Sequence, residues 1–586
     1  MARDKSYEDY LLGLYGAMFS DIAELDPSLR KDCERDYKRL LSAVEQHGIG
    51  FLVDTLPSFA KHFDQCLATR CLTPSGLCHF GPFRSGRAIP RLFKGLLRRI
   101  FDDFGELKSE PDVQAIRAVR QLTLAVKRLR IPCDPHATWK QVDEFIKTDG
   151  EIIPGSLNWD TGSFDSSGAH DLHFGDRVRH VDESEPDLFI SDEELRDRST
   201  SNSLLRPVLD TIQGVADIVS AEIGRFNPAE WKFRHGPGAV ADRRSGMYKY
   251  IFENWPAKLE TVFGMADYAS HNYASFLRQY SDEGGYRVSL RNHEPPARLM
   301  AVPKSYSGPR LIASEPLSHQ WCQQSVRDFL VHRTRETFLS GFICYEDQSL
   351  NADLALEASI DGCLSTIDLS SASDRMSCWV VERMFRNNPS LLDAFYAART
   401  RWIRQDIDGK RDQTLRLKKF STMGSAVTFP VQSIVFLVVA IGCELYVRKL
   451  RPTKKNIRLL TGGVRTFGDD IIVSTRASDL TVASLTHLGF KVNPHKTFRT
   501  GLFRESCGME AFGGHDVTRA SLLMKPSVAK PESILSCIDA HNNLFQRGWL
   551  KSAQWLRRTV ERLGRYSFPD VGLGSGVIGW YSFMPR

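Results

Sequence analysis

The chain has no long uninterrupted apolar run. Its longest uninterrupted apolar run, Ile434 to Ile441, is too short to cross a bilayer and reads as a core helix. Met1-Ala2-Arg3-Asp4-Lys5 leads into a mixed amphipathic stretch with no apolar h-region, so no secretory signal is expected. Twelve cysteines are present, but they are scattered rather than set in a spaced framework, which points to reduced thiols in a cytosolic protein. Cys66, Cys71, Cys78 and His79 fit no common zinc-ligand spacing and read as plain thiols. There is no internal repeat and no low-complexity tract. The excess of one sign of charge is small as well: the net charge of +6 permits a polyanionic partner without demanding one.

What is there is an ordinary globular composition, 42% hydrophobic and 25% charged, over 586 residues. That length exceeds one compact core and predicts two to four domains or subdomains. Residues 6–145 read as mostly helical. Within them, 89–100 and 113–130 each set an apolar face (Leu92, Leu96, Ile100; Ile116, Val119, Leu122) against a basic one (Arg87, Arg91, Lys94, Arg98; Arg117, Arg120, Lys127, Arg128). Each face alone reads as solvated, and the two together make an RNA- or phosphate-facing surface the second reading. Residues 148–202 accumulate Gly, Ser and Asp and carry acidic Asp182–Asp187 and Asp192–Glu194, as in a surface connector. The His235-Gly236-Pro237-Gly238 turn is a weak phosphate-binding signal, since most such turns are only turns.

Chemistry concentrates further on. Arg298 to Pro316 reads as a hairpin projecting Arg298, Lys304 and Arg310, cations suited to a triphosphate. Thr366 to Leu369 reads as a buried strand ending at Asp368, with Ser371 or Ser373 capping a following helix and Asp374 one turn on, within reach of a ribose hydroxyl. The bland alternative for Asp374 is a carboxylate favoured by the helix dipole. Ser421 to Gln432 leads into an apolar helix over 433–447, and Thr428 and Gln432 share a face. Val464 to Phe467 and Ile471 to Ser474 read as hairpin strands whose turn carries Gly468, Asp469 and Asp470. Adjacent carboxylates repel, and such a pair is seldom kept unless a cation neutralises it. Asp368, Asp469 and Asp470 on two strand ends would suit two Mg²⁺ ions, with Mn²⁺ as a substitute. Lys496 is a candidate proton donor to a leaving pyrophosphate.

The order of these segments carries more than any one of them. A basic hairpin, Asp-x₅-Asp, Ser-x-Met-Gly-Ser-x₂-Thr, Gly-Asp-Asp, a lysine segment and Phe503-Arg504-Glu505-Ser506-Cys507-Gly508 follow one another. The series resembles motifs F, A, B, C, D and E of viral RNA-dependent RNA polymerases. More narrowly, Ile367 to Asp374, Phe467 to Ile472 and Phe503 to Gly508 look like the replicase beta subunit of positive-strand RNA bacteriophages, the Q-beta and MS-two group. The resemblance is strong from about Arg298 to Thr518.

It implies an α+β right-hand polymerase fold of fingers, palm and thumb, with an antiparallel palm sheet flanked by helices. Residues 1–225 would form a helical region contributing to the fingers, 226–360 the fingers with the basic hairpin, 361–518 the palm with a fingers insertion near 385–420, and 519–586 the thumb. By the same resemblance Asp368 and Asp469 would bind both metals and Asp470 would assist. Asp374, Ser425 and Thr428 would read the ribose, Arg298, Lys304 and Arg310 would line nucleotide entry, and Lys496 matches the motif D lysine. Phe503 to Gly508 would support the growing 3′ end. Two departures stand out. The best-known members carry Asn after the motif B glycine where this chain has Ser425, which bears on the ribose contacts and not on the reaction. His495 precedes Lys496, leaving the proton donor open between them.

The expected function is therefore template-directed RNA synthesis from NTPs, with RNA as template and product, in the cytoplasm of a bacterial host and without a membrane. By resemblance only, host elongation factors Tu and Ts and ribosomal protein S-one are expected partners. A reverse transcriptase is the alternative enzyme, disfavoured because small serines and Asp374 stand where a bulky aromatic would guard against a 2′-hydroxyl. A non-catalytic RNA-binding protein on a polymerase scaffold is the alternative from another class, disfavoured by the intact acid set. The aromatic tail Trp580-Tyr581-Ser582-Phe583 is a candidate stacking platform for an initiating nucleotide, against the plainer reading of thumb packing.

Overall fold

In the computed structural model the described residues are 2–74, 81–84, 86–131, 135–152, 192–242, 249–252, 254–269, 289–291, 294–564 and 566–584. Cys78, His79 and the acidic run 182–187 lie outside them, as do the side chains of 192–194. The fold is α+β, as expected. Helices dominate, and the candidate site residues gather on short strands and on the turns and loops that adjoin them.

Two large hydrophobic cores organise the chain. The central one wraps the helix Thr428–Val447, whose apolar residues from Val431 to Leu445 are buried on every side. By length and composition this helix could cross a membrane, which the eight-letter apolar run alone did not suggest. Yet 89% of its most apolar window is buried in protein, so it is the core helix the sequence predicted. The second core joins the N-terminal helices Ala2–Leu25, Arg30–His47, Leu56–Thr69 and Val113–Leu124 to the C-terminal helices Pro531–Gln546 and Leu550–Glu561. Asp21 seals the join by accepting from the backbone N–H of Lys551 (2.7 Å) and Ser552 (2.9 Å) at a helix start. Trp580 is 1% exposed and packs on His541 and Phe568, so that residue of the aromatic tail is packing.

The two basic faces of the N-terminal region are revised. Only Lys94–Ile100 is helical in the first. Phe93 takes φ +59 with its ring buried, and Arg87 and Arg91 fall outside the helix. In the second the helix stops at Leu124, and Arg120 is wholly buried rather than solvated. It pairs with Asp64 and with Glu510 (2.6 Å) and stacks over Phe503, because a buried guanidinium needs carboxylates around it. The expected serine cap also moves. Ser371 adopts φ +53, and the following helix, Cys378–Met384, is capped by Ser377 accepting from Val380 N–H.

Two sheets set up the site. The hairpin Ala297–Ser305 with Gly308–Ser314 forms as predicted and is extended by Trp402–Gln405 and Gln413–Arg416 into four strands. Beside it, Asp470–Ser474 lies between Leu364–Ile367 and Arg465–Phe467, antiparallel to both.

Candidate active site

Register decides where the acids meet. Ile471 is paired with Ile367, so one step along the antiparallel ladder brings Asp470 opposite Asp368. Phe467 pairs with Asp470, which leaves Gly468 and Asp469 as the turn. Gly468 has φ +64, and a Cβ there would meet the Phe429 ring at 2.7 Å, so only glycine fits. The turn is anchored to the core helix: Gly468 N–H donates to Ser433 Oγ (2.9 Å) and Thr466 Oγ1 donates to Ser433 O (3.1 Å).

A cavity of about 640 Å³ opens in front of these strands. Of the residues expected at the site, Lys304, Arg310, Asp368, Asp374, Ser425, Thr428, Asp469 and Lys496 line it. Arg298 does not: its Nε lies 3.0 Å from Asp406, which braces the hairpin against the strand Trp402–Gln405. Asp470 also stands behind the lining, accepting from Cys507 N–H at 3.3 Å.

Among the described residues, Lys496 is the one ammonium ion-paired within this group of acids. Burial pushes the Asp368 carboxyl up to about 6; Lys496 opposes the rise and Asp469 adds to it. Burial, then Asp469 and Asp368, push Asp470 up to about 7. Lys496 stands between Asp368 (3.5 Å) and Glu505 (3.2 Å). Burial alone would lower its ammonium, but Glu505, Asp368 and Asp470 outweigh it and hold it above the ordinary lysine range. His495 is exposed and outside the lining. On the basic hairpin Lys304 is exposed, yet partial desolvation along the cavity wall and the nearby Arg310 and Lys496 draw its ammonium down.

The loop before the core helix closes the opposite side. Gly424 has φ +139, and a Cβ there would strike Ala313 O at 1.8 Å, so the loop lies flat on the hairpin. Ala313 N–H donates to Met423 O (2.7 Å). Thr428 Oγ1 is spent locally, 2.8 Å from both Ser421 Oγ and Thr422 O. Ser425 Oγ has no hydrogen-bond partner among the described residues. Gln432, one turn beyond Thr428, also lines the cavity, with its Oε1 buried and unpartnered.

Three contributors escaped the sequence. Asn493 Nδ2 donates to Asp368 Oδ2 (2.9 Å), and Asn493 N–H to Asp368 O (2.9 Å). Glu505 positions Lys496. Lys419 pairs with Asp374 at 3.0 Å. Asn493 carries a faint cue, lying just ahead of Lys496; Lys419 carries none, since its partner is remote in sequence.

All donors on the acid wall are oxygens, which suits a hard divalent cation. Among the described residues no three His, Cys, Asp or Glu side chains form a ready-made metal cage.

Residues 264–540 match the family model for the RNA replicase beta-chain. The RNA-directed RNA polymerase beta chain of Escherichia phage MS2 is 34% identical over 239 residues, 41% of this chain and 39% of its own. That of Enterobacteria phage GA is 34% identical over 283 residues, 47% and 46%. The Escherichia virus Qbeta beta subunit is 26% identical over 324 residues, 51% and 50%. The chain thus spans half or less of the length of these relatives. A solved RNA-dependent RNA polymerase, from a human picobirnavirus, overlays with a TM-score of 0.35 at 13% identity over 48% of this chain and 59% of its own, too loosely to define the fold. Over its central residues, 264–540, this chain is similar to the beta chains of phage RNA-directed RNA polymerases.

Proposed function

We propose that this chain carries out template-directed RNA synthesis from NTPs by two-metal nucleotidyl transfer, replicating a positive-strand RNA phage genome in the host cytoplasm. The observation that carries the reading is the ladder register that sets Asp470 across from Asp368, with Asp469 in the adjoining turn and two of the three acids facing one cavity. Asp368 and Asp469 would hold two Mg²⁺ or Mn²⁺ ions, and Asp470 would assist from behind. When bound, these ions supply activation of a 3′-hydroxyl and stabilisation of the leaving pyrophosphate.

The chain's own residues do the rest. Lys304 and Arg310 meet the triphosphate, Arg310 by paired hydrogen bonds and Lys304 as a point charge. Arg298 braces the hairpin that carries them. Lys496, held protonated by Glu505 and Asp368, has a proton to give the pyrophosphate. Asp374 and Ser425 face the ribose, while Thr428 stiffens the loop that presents Ser425. In this reading 226–360 supply fingers, 361–518 the palm and 519–586 the thumb.

Purified protein with RNA, NTPs and Mg²⁺ tests the proposal. Labelled NTP should enter a product complementary to the template and dNTP should not; incorporation of dNTP would favour a reverse transcriptase. Host elongation factors Tu and Ts and ribosomal protein S-one are proposed partners by resemblance, and the same assay with and without host lysate reads any dependence on them. RNA binding without synthesis in any divalent metal would leave the non-catalytic reading in place.

A further inference from the structure

Lys419 is fully buried, and its charge is placed with care. Its Nζ lies 3.0 Å from Asp374 Oδ1 and 3.9 Å from Asp149 Oδ1. It also sits 3.5 Å from the centre of the Phe145 ring. A buried ammonium survives only where carboxylates compensate its lost hydration. Asp149 is already engaged by the backbone, accepting from Lys418 N–H (3.0 Å) and Lys419 N–H (3.1 Å). That leaves Asp374 as the close partner.

Asp374 sits in the single 3-10 turn Ser373–Arg375, entered through Ser371 at φ +53. Its Oδ1 belongs to Lys419. Its Oδ2 has no partner among the described residues, and the residue lines the cavity. Arg375 pairs with Glu151 (2.8 Å), so the turn is moored to the end of the helix Pro135–Gly150 directly by Arg375 and, through Lys419, by Asp374. Gln141, Glu144, Phe145 and Thr148 of that helix line the same cavity. The helix lies outside the 264–540 match.

We propose that Lys419 is the positioning residue that sets the sugar specificity of this cavity, by pinning one oxygen of Asp374 so that the other accepts from a ribose 2′-hydroxyl. This rests on the polymerase reading above. A carboxylate free to rotate accepts from many directions, including from water that would replace a missing hydroxyl. One fixed by an ammonium offers a single acceptor in a single place. A deoxyribose then leaves that acceptor unpaired, and a site built around a hydroxyl rejects the analogue lacking it. The helix Pro135–Gly150, through Asp149 and Phe145, becomes part of the selectivity device.

The test is single-nucleotide extension of a primed RNA template, reading kcat/KM for ATP and dATP separately. Lys419→Met keeps the length and the packing on Phe145 but removes the charge. It should lower the ATP/dATP ratio by about tenfold or more, through a fall for ATP with dATP little changed. Lys419→Arg should keep most of the ratio. An unchanged ratio, or an equal fall for both nucleotides, overturns the proposal. If Lys419→Met does not fold, Asp149→Asn decides: it loosens the Lys419 backbone and should lower the ratio in the same direction, and no change there overturns the proposal equally. Wild-type protein that incorporates nothing, with or without host lysate, would instead overturn the polymerase reading, so the two failures are distinct.

Discussion

Asp368 and Asp374 flank one short turn and face the same cavity, yet their surroundings differ in kind. Asp368 stands with Asp469 and Asp470 in a group whose one ion-paired cation among the described residues, Lys496, is shared with Glu505, with Lys304 acting on the acids from further off. Asp374 has a buried lysine, Lys419, committed to it. The first wall is left short of positive charge, as a site that borrows cations needs to be. The second is completed by the protein, as a site that reads a neutral hydroxyl needs to be. The difference separates acids that serve as ligands from an acid that serves as a hydrogen-bond acceptor.

The contrast breaks first at Asp469. Asp469→Asn should lower nucleotide incorporation by about a thousandfold or more, because loss of shared metal stabilisation removes several kcal/mol from the transition state. Circular dichroism and RNA binding should stay near wild type. Next comes the sugar wall: Asp374→Ala should cut the NTP/dNTP selectivity by about 10- to 100-fold while dNTP incorporation changes little, measured as a ratio of kcat/KM values.

Stability without metal sharpens the comparison further. The Asp470 carboxyl sits near 7 in the fold against an ordinary 3.8, so the fold favours its neutral form. A raised folded-state value means stability is held at low pH and lost as pH rises from about 4 through about 7. In EDTA, Asp470→Asn should therefore raise stability at pH 8 by on the order of a few kcal/mol at most, read as a higher melting temperature, and change little at pH 4. Added Mg²⁺ should stabilise the wild type more at pH 8 than at pH 5. The smallest effect belongs to Arg298. Its side chain is 30% exposed and paired with Asp406 outside the cavity. Arg298→Ala should cost about 0–1 kcal/mol of stability and less than about threefold in kcat/KM for NTP.

Much of the acid wall was legible because its signals are local. The alternation through Val464 to Ser474, broken by Gly-Asp-Asp, specifies a hairpin without reference to anything else, and the strand ending at Asp368 is equally self-contained. The basic hairpin and the core helix were legible for the same reason. What stayed hidden depends on pairing across the chain. Arg120 looked like one cation in a solvated stripe, and only the approach of Asp64 and Glu510 shows it to be core. Arg298 looked equivalent to Lys304 and Arg310 until Asp406 claimed it. Lys419 followed another lysine in a segment with no motif, and its partner is chosen by the packing of three separate elements. Ser377 rather than Ser371 or Ser373 became the cap because Ser371 turns into the left-handed region, a choice periodicity does not register.

The second core also bears on how the protein is made. Its first apolar contributors come from Tyr10 to Leu129 and its last from Phe498 to Trp580. At about 5–20 residues per second, a ribosome needs roughly 20–70 s to add the roughly 370 residues between those two groups. Throughout that interval the early helices carry sticky faces whose covers have not been synthesised. The nascent chain is thus exposed to misassembly for far longer than its own local folding would take, and slower translation or scarce chaperones should depress the yield of native protein before any defect in the finished molecule could show.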